Sequence, residues 1–300
     1  MERIALAEEL TFSRIIHGMM RLSEWSLSKE QRLSFIEEVM EQGITTFDHA
    51  DIYGSYVCEE LFGEALSLKP SLRDKMEIVT KCGIVLTSDN RPANRSHHYN
   101  TSKEHIIHSV NRSLENLHTD YIDLLLIHRP DPFMNPEEVS EAFDELFNDG
   151  KVRHFGVSNF KQHQYRMLDA YVSQPLVTNQ IELSAYQLEN IEDGTLNLSQ
   201  EVQAPPMAWS PLAGGKLFNS VSDKAVRLRK ALEDVGQEIG AKSIDEVLYT
   251  WLLVHPASIM PIVGSGNMER IQSAISALHL NMDQHQWFQI YQASLGHDVP

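Results

Sequence analysis

Asp48, Tyr53, Lys81 and His128 place an acid, a phenol, an amine and an imidazole at the ends of three successive apolar runs. Their neighbourhoods read Thr45-Thr46-Phe47-Asp48-His49-Ala50-Asp51-Ile52-Tyr53-Gly54, Ile78-Val79-Thr80-Lys81-Cys82 and Leu124-Leu125-Leu126-Ile127-His128. Gathered at one point, these groups could make a proton donor. A phenol of ordinary pKa near ~10 is a weak acid at neutral pH, but a neighbouring ammonium favours the phenolate and lowers that value. Lys81 could supply the ammonium, Asp48 could hold it charged and oriented, and His128 could hydrogen-bond a carbonyl oxygen as charge develops there. Such an acid is worth roughly a hundred- to ten-thousand-fold in rate. No side chain in the set is an obvious nucleophile, so a hydride-donating cofactor is the natural complement. A Schiff-base lyase using the Lys81 amine is the rival chemistry; an acid partner that keeps Lys81 protonated counts against it.

Something must hold these groups together. Short apolar runs at 14–18, 45–48, 77–81, 123–128, 154–158, 178–181, 207–210 and 258–263 alternate with amphipathic segments, after a hairpin over 4–12. Ile107, Val110, Leu114 and Leu117 recur at the three- and four-residue spacing of a helix. Ser28–Gln31 and Ser243–Glu246 have the pattern of capping boxes. Asn135-Pro136-Glu137-Glu138 offers a cap, a first-turn proline and acids at the positive end of the dipole. Gly43, Gly150 and Gly240 fall where left-handed helix stops belong. Strand–helix alternation with nearly uninterrupted apolar strands implies a parallel sheet covered by helices. Eight such units predict an α/β fold, a (β/α)8 TIM barrel with an N-terminal β-hairpin and two additional helices, at 221–239 and 283–294, in a single domain over 1–300. A doubly wound open sheet is the alternative, but no G-x-G-x-x-G follows the first strand. In a barrel, chemistry belongs at the carboxyl ends of the strands, where all four residues fall.

Composition narrows the class further. The 300 residues are 42% hydrophobic, ample for a core, and their formal charge of -17 argues against a nucleic-acid or anionic-membrane surface. Cys58 and Cys82 are too few for a disulfide framework and lack metal-ligand spacing. With no apolar leader after Met1 and no run of about 18 apolar residues, a cytoplasmic protein without a membrane partner is expected. His97-His98 invites a metal reading, but adjacent histidines in a polar loop more often face solvent, so no metal is assigned.

At these residues the chain resembles the aldo-keto reductase family. The resemblance runs from the hairpin to the final helix. It rests on 43–54 with its Asp-x-Ala-x-x-Tyr-Gly pattern, Thr80-Lys81, Leu126-Ile127-His128, Gly156-Val157-Ser158-Asn159-Phe160, Asn179-Gln180, Ser210-Pro211-Leu212 and 264–270. It implies that Tyr53 is the general acid of carbonyl reduction, within the tetrad Asp48, Tyr53, Lys81 and His128, and the general base when an alcohol is oxidised. It also implies a nicotinamide cofactor. Ser158, Asn159 and Gln180 match positions that hold the carboxamide, and Trp209 matches an aromatic that stacks on the ring, often Tyr in the family. Gly18, Met19 and Met20 follow the first strand on the cofactor side. Ser210, Leu212 and Gly214 lie along the pyrophosphate, and Gly264, Ser265, Gly266 and Arg270 form the phosphate and adenosine end. Many NADP-preferring members carry Lys where this chain has Ile262; NADPH remains the expected cofactor because Ser265 and Arg270 persist, with NADH left open. Trp25, Tyr56, His128 and the stretch 83–100 are expected at the substrate mouth, beside Met19, Met20 and Arg21. Few residues follow the last helix, as in bacterial-type members with a short C-terminal tail, so an open pocket for several small-molecule aldehydes or ketones is expected. A monomer is expected because no large apolar surface is evident. The family also includes channel-associated scaffolds, so a nucleotide-sensing subunit without turnover is the second rival.

Overall fold

The computed structural model describes residues 1–300. It opens on an antiparallel hairpin of β1 (Arg3–Ala7) and β2 (Leu10–Ser13). The next strands are β3 (Ile16–Gly18), β4 (Thr46–Asp48), β5 (Glu77–Cys82), β6 (Ile84–Val85), β7 (His98–Tyr99), β8 (Ile122–Ile127), β9 (Val152–Ser158), β10 (Leu176–Glu182), β11 (Met207–Trp209) and β12 (Met260–Val263). Eight of them close into a barrel in the order β10-β11-β12-β3-β4-β5-β8-β9. All eight expected strands are present, most with ends moved by one or two residues. The short antiparallel pair β6–β7, inside the 83–100 stretch, adds to the expected strands. No helix is long and apolar enough to cross a membrane.

The chain divides into two compact units, Met1–Asn179 and Gln180–Pro300, with the division inside β10. In the first unit, register decides which side chains meet. Asp48 on β4 pairs with Val79 on β5, so Lys81, two residues farther along, shares a face with the residue opposite Asp48. Lys81 in turn pairs with Leu126 on β8, and Cys82 with Ile127. Helices Lys29–Glu41, Cys58–Leu66, Lys103–Leu117, Pro136–Asn148 and Gln162–Asp169 belong to this unit. The Ser28 capping box and the Asn135 cap form as the residue types dictate. Gly43 and Gly150 take the left-handed conformation (φ 88° and 70°).

Two helical details differ from the sequence expectation. The buried face of Lys103–Leu117 is Ile106, Ser109, Val110, Ser113 and Leu117, whereas Ile107 and Leu114 are only half-buried. On the facing side Ser113 Oγ donates to the buried Glu59 (3.0 Å) and Ser109 bonds Asp51. At Ser243 the hydroxyl caps Glu246 N, but the Glu246 carboxylate accepts from Lys242 N (2.7 Å) rather than from the cap's own amide, so the box is half-made.

The second unit holds helices Asp223–Ile239, Ile244–Leu253, Met268–Ala277 and Gln284–Leu295. Its core joins Leu228, Leu232, Val235, Val247, Trp251 and Ile290. Trp251 and Trp287 stack at 4.8 Å, and each indole N–H donates to the other's backbone carbonyl (3.2 and 3.0 Å). That exchange satisfies two buried donors while fastening the last helix, one of the two additions to the repeat.

Candidate active site

Lys81 is the centre of the site. Its side chain is fully buried, and its ammonium donates to Asp48 Oδ1 (2.8 Å), Asp48 Oδ2 (2.9 Å), His49 O (2.6 Å) and Tyr53 Oη (3.0 Å). Asp48 ends β4, and the chain then turns over the barrel mouth on two bonds to β5, His49 N to Val79 O (2.8 Å) and Asp51 N to Lys81 O (3.1 Å). Tyr53 opens a short turn in which Gly54, Ser55 and Tyr56 are all left-handed (φ 58°, 56° and 74°). A Cβ at Gly54 would stand 2.6 Å from Cys58 Sγ and 2.7 Å from Ser23 Oγ, so this turn needs glycine for space as well as for conformation. His128 follows β8, with its amide bonded to Cys82 O (2.9 Å). Its ring meets the Tyr53 ring edge-on, with centroids 5.9 Å apart. The four expected residues are therefore brought together.

The electrostatics fix the protons. An ammonium has donors and no acceptor, so Tyr53 Oη accepts from Lys81 and its own proton must point elsewhere. Burial alone would depress Lys81, but the Asp48 carboxylate and the Tyr53 oxygen reverse this and hold it above its ordinary value. Burial pushes His128 well below its ordinary value, and the Lys81 and Arg129 charges push the same way. The imidazole is neutral at pH 7 and keeps one N–H to donate. For Tyr53 the expected direction is reversed. Burial raises the phenol above its ordinary value; Lys81 pulls down, but Asp48 adds a further upward push. The phenol therefore rests fully protonated, and the ammonium acts on the phenolate only as it forms.

Other expected residues sit as follows. Gly18 ends β3, the Met19 amide donates to Asp48 O (2.9 Å), and Met20 is half-exposed. Ser158 ends β9, and Asn159, left-handed at φ 63°, donates to Ser158 Oγ (2.8 Å) and His128 O (3.3 Å). The Trp25 ring packs on His17 and Phe35. Tyr56 Oη accepts from Leu86 N (2.7 Å) and lines a separate cavity beside the 83–100 stretch. In the second unit Gln180 is buried on β10 and Trp209 ends β11. The following turn carries left-handed Ser210, Ala213 and Gly214 (φ 52°, 52° and 60°), with Leu212 half-buried. Gly264, Gly266 and Arg270 are exposed around the start of helix Met268–Ala277, and Asn267 caps it through Glu269 N (2.8 Å). Open glycine amides, a helix N-terminus and an arginine form a donor set that fits a phosphate group. The carbonyl of His49 is the functional group that residue types could not announce, because any residue presents a carbonyl. No group of three or more His, Cys, Asp or Glu is placed to hold a metal ion.

Comparison with known proteins bears on the family and the fold. A profile of the Aldo/keto reductase family matches residues 14–294. The chain is 66% identical over its full length, and that of the relative, to a protein of Bacillus subtilis (strain 168) named uncharacterized oxidoreductase YcsN. It is 44% identical, again over both full lengths, to a 6-dehydroglucose reductase of Agrobacterium fabrum. Among solved structures, a glycerol dehydrogenase from Gluconobacter oxydans superposes with a TM-score of 0.85, covering 98% of this chain and 95% of that one at 21% identity, a likeness of fold.

Proposed function

Since the chain belongs to the Aldo/keto reductase family, we propose that it reduces an aldehyde or ketone to an alcohol with NADPH, and that Tyr53 is the general acid. The observation that carries this reading is the Lys81 ammonium clasped by Asp48 while it donates to Tyr53 Oη at 3.0 Å. The substrate oxygen accepts from the Tyr53 hydroxyl and from the neutral His128 imidazole. As charge builds on that oxygen, Tyr53 releases its proton toward it, and Lys81 stabilises the phenolate left behind. Asp48 and the His49 carbonyl keep Lys81 in place throughout. The nicotinamide, when bound, supplies the hydride to the carbonyl carbon. Ser158, Asn159, Gln180 and Trp209 would hold its ring, with Gly18, Met19 and Met20 beside it. Ser210, Leu212 and Gly214 would follow the pyrophosphate, and Gly264, Ser265, Gly266 and Arg270 the adenosine phosphate. Trp25, Tyr56 and His128 remain the proposed neighbours of the substrate.

Lys81 is a poor candidate for a Schiff-base amine, since four acceptors and a raised pKa keep it protonated. A complete tetrad likewise weighs against a subunit that only senses the nucleotide. NADPH consumption over a panel of carbonyls tests the activity, with 6-dehydroglucose first because a relative is named for its reduction. Turnover with NADPH is expected; cofactor binding without turnover on any member would favour the sensing role. Equal kcat/KM with NADH would remove the proposed NADPH preference.

A further inference from the structure

A second cavity, of about 140 Å³, lies in the first unit between the 83–100 stretch and helices Cys58–Leu66 and Lys103–Leu117. Arg91 and Arg112 both line it. The Arg112 Nε is buried with no partner, and Arg91 donates to the carbonyl of its chain neighbour Asn90 (2.8 Å) while lying over the Tyr56 ring at 4.9 Å. Burial, and then the charge of Arg112, pulls Arg91 below its ordinary value. The two cations repel one another across the cavity.

The acids in the wall offset only part of this charge. Glu59 is already engaged, accepting from Thr80 Oγ1 (2.6 Å) and Ser113 Oγ (3.0 Å). Asp51 is pushed well up by burial and then by Glu59, so it carries its proton, and its Oδ1 is buried without a partner. Asn94 Nδ2 is taken up by Tyr56 Oη (3.3 Å) and Leu86 O (2.9 Å), and Asn116 bonds Glu59, so the guanidiniums are the cavity's available donors. Two guanidiniums against the single Glu59 carboxylate leave the wall an excess of positive charge in a protein whose overall charge is -17.

We propose that this cavity binds a small oxyanion (phosphate, sulfate or a carboxylate) between Arg91 and Arg112, with Asp51 Oδ1 against it. A single water needs only about 10–15 Å³ of such space, so about 140 Å³ has room for an anion of four or five heavy atoms. Paired guanidiniums suit the parallel acceptor oxygens of such a group. Arg91 belongs to the roof and Arg112 to the wall, so the anion would fasten the 83–100 stretch to its supporting helix. The Tyr56 bond to Leu86 N and the Asn94 bond to Leu86 O (2.9 Å) already pin one side of that roof. His108, exposed at the cavity, gives a way in from solvent.

The site shares Tyr56 with the proposed substrate mouth and is tested without turnover. Thermal unfolding is followed while sodium phosphate, sulfate or acetate replaces chloride at constant ionic strength. Wild type is compared with R91Q, R112Q and R270Q, the last removing the arginine proposed for the cofactor phosphate. The expected result is a saturable rise in Tm with at least one anion, kept in R270Q and lost in both R91Q and R112Q. The anion that saturates at lowest concentration distinguishes a tetrahedral ligand from a carboxylate. If R112Q does not fold, R91Q on the partly exposed roof carries the same reading. No saturable rise in wild type, a rise that survives the cavity substitutions, or one lost in R270Q overturns the proposal.

Discussion

Lys81→Met separates what the buried ammonium does for stability from what it does for the rate. The substitution keeps much of the side-chain volume and removes the charge, leaving the Asp48 carboxylate buried at 3% exposure opposite a thioether. At 2.8 Å the pair's gross attraction is about 6 kcal/mol at an effective dielectric of 20. Most of that offsets desolvation of the two ions, so the useful number is the cost of breaking the pair, about 3–5 kcal/mol. K81M should lose that much in urea unfolding, and Asp48→Asn a comparable amount. The double variant should recover most of the loss, because two neutral side chains leave no uncompensated charge. Carbonyl reduction should not recover: both K81M and the double variant should fall at least about a hundred-fold in kcat, since neither stabilises the Tyr53 phenolate. Urea midpoints and steady-state kinetics on the same four proteins decide the matter. K81M within about 1 kcal/mol of wild type, or a double variant that regains activity, would refute the reasoning.

Acid should expose the buried histidines. Burial pushes His49 down to about 3, with Lys81 adding to it, and His105 down to about 4, with His108 adding to it. Depressed folded values mean stability that is present above the unfolded pKa near ~6.5 and lost as pH falls below it, about 2 kcal/mol per histidine by pH 5. Asp51 and Glu59, both raised, work in the opposite direction, so the clean measurement is a difference. From pH 7.5 to 5, wild type should lose about 2 kcal/mol more than His105→Gln, and equal losses would contradict the assignment. Gly63→Ala should be severe, because its Cβ would meet Asn116 O at 1.9 Å and Leu117 C at 2.7 Å, both backbone. A loss of at least about 3 kcal/mol, or failure to accumulate folded protein, is expected; a Tm within a degree of wild type would rule out this helix contact.

The barrel was readable because its signals are local and repeated. Uninterrupted apolar strands such as Ile122–Ile127, serine and asparagine caps, and glycine stops all follow from residue type at short range. The tetrad was readable because four chemically distinct side chains fell at strand ends. What escaped depends on long-range burial. The hydroxyls of Ser109 and Ser113 look solvent-facing in a periodic pattern, yet they turn inward, Ser113 onto the buried Glu59 and Ser109 onto Asp51. The short β6–β7 pair has no alternation long enough to notice. The Tyr53 shift was misjudged because composition gives the charge beside a phenol but not how much water the fold removes.

In the proposed function Tyr53 delivers the proton and does little else. Tyr53→Phe keeps the ring that meets His128 edge-on and deletes the oxygen that accepts from Lys81. The measurement is NADPH affinity by nicotinamide fluorescence beside single-turnover reduction of the best carbonyl substrate. The expected result is a Kd within about two- to threefold of wild type and a rate lower by at least about a hundred-fold. A Tyr53→Phe protein that reduces its carbonyl at the wild-type rate would contradict it.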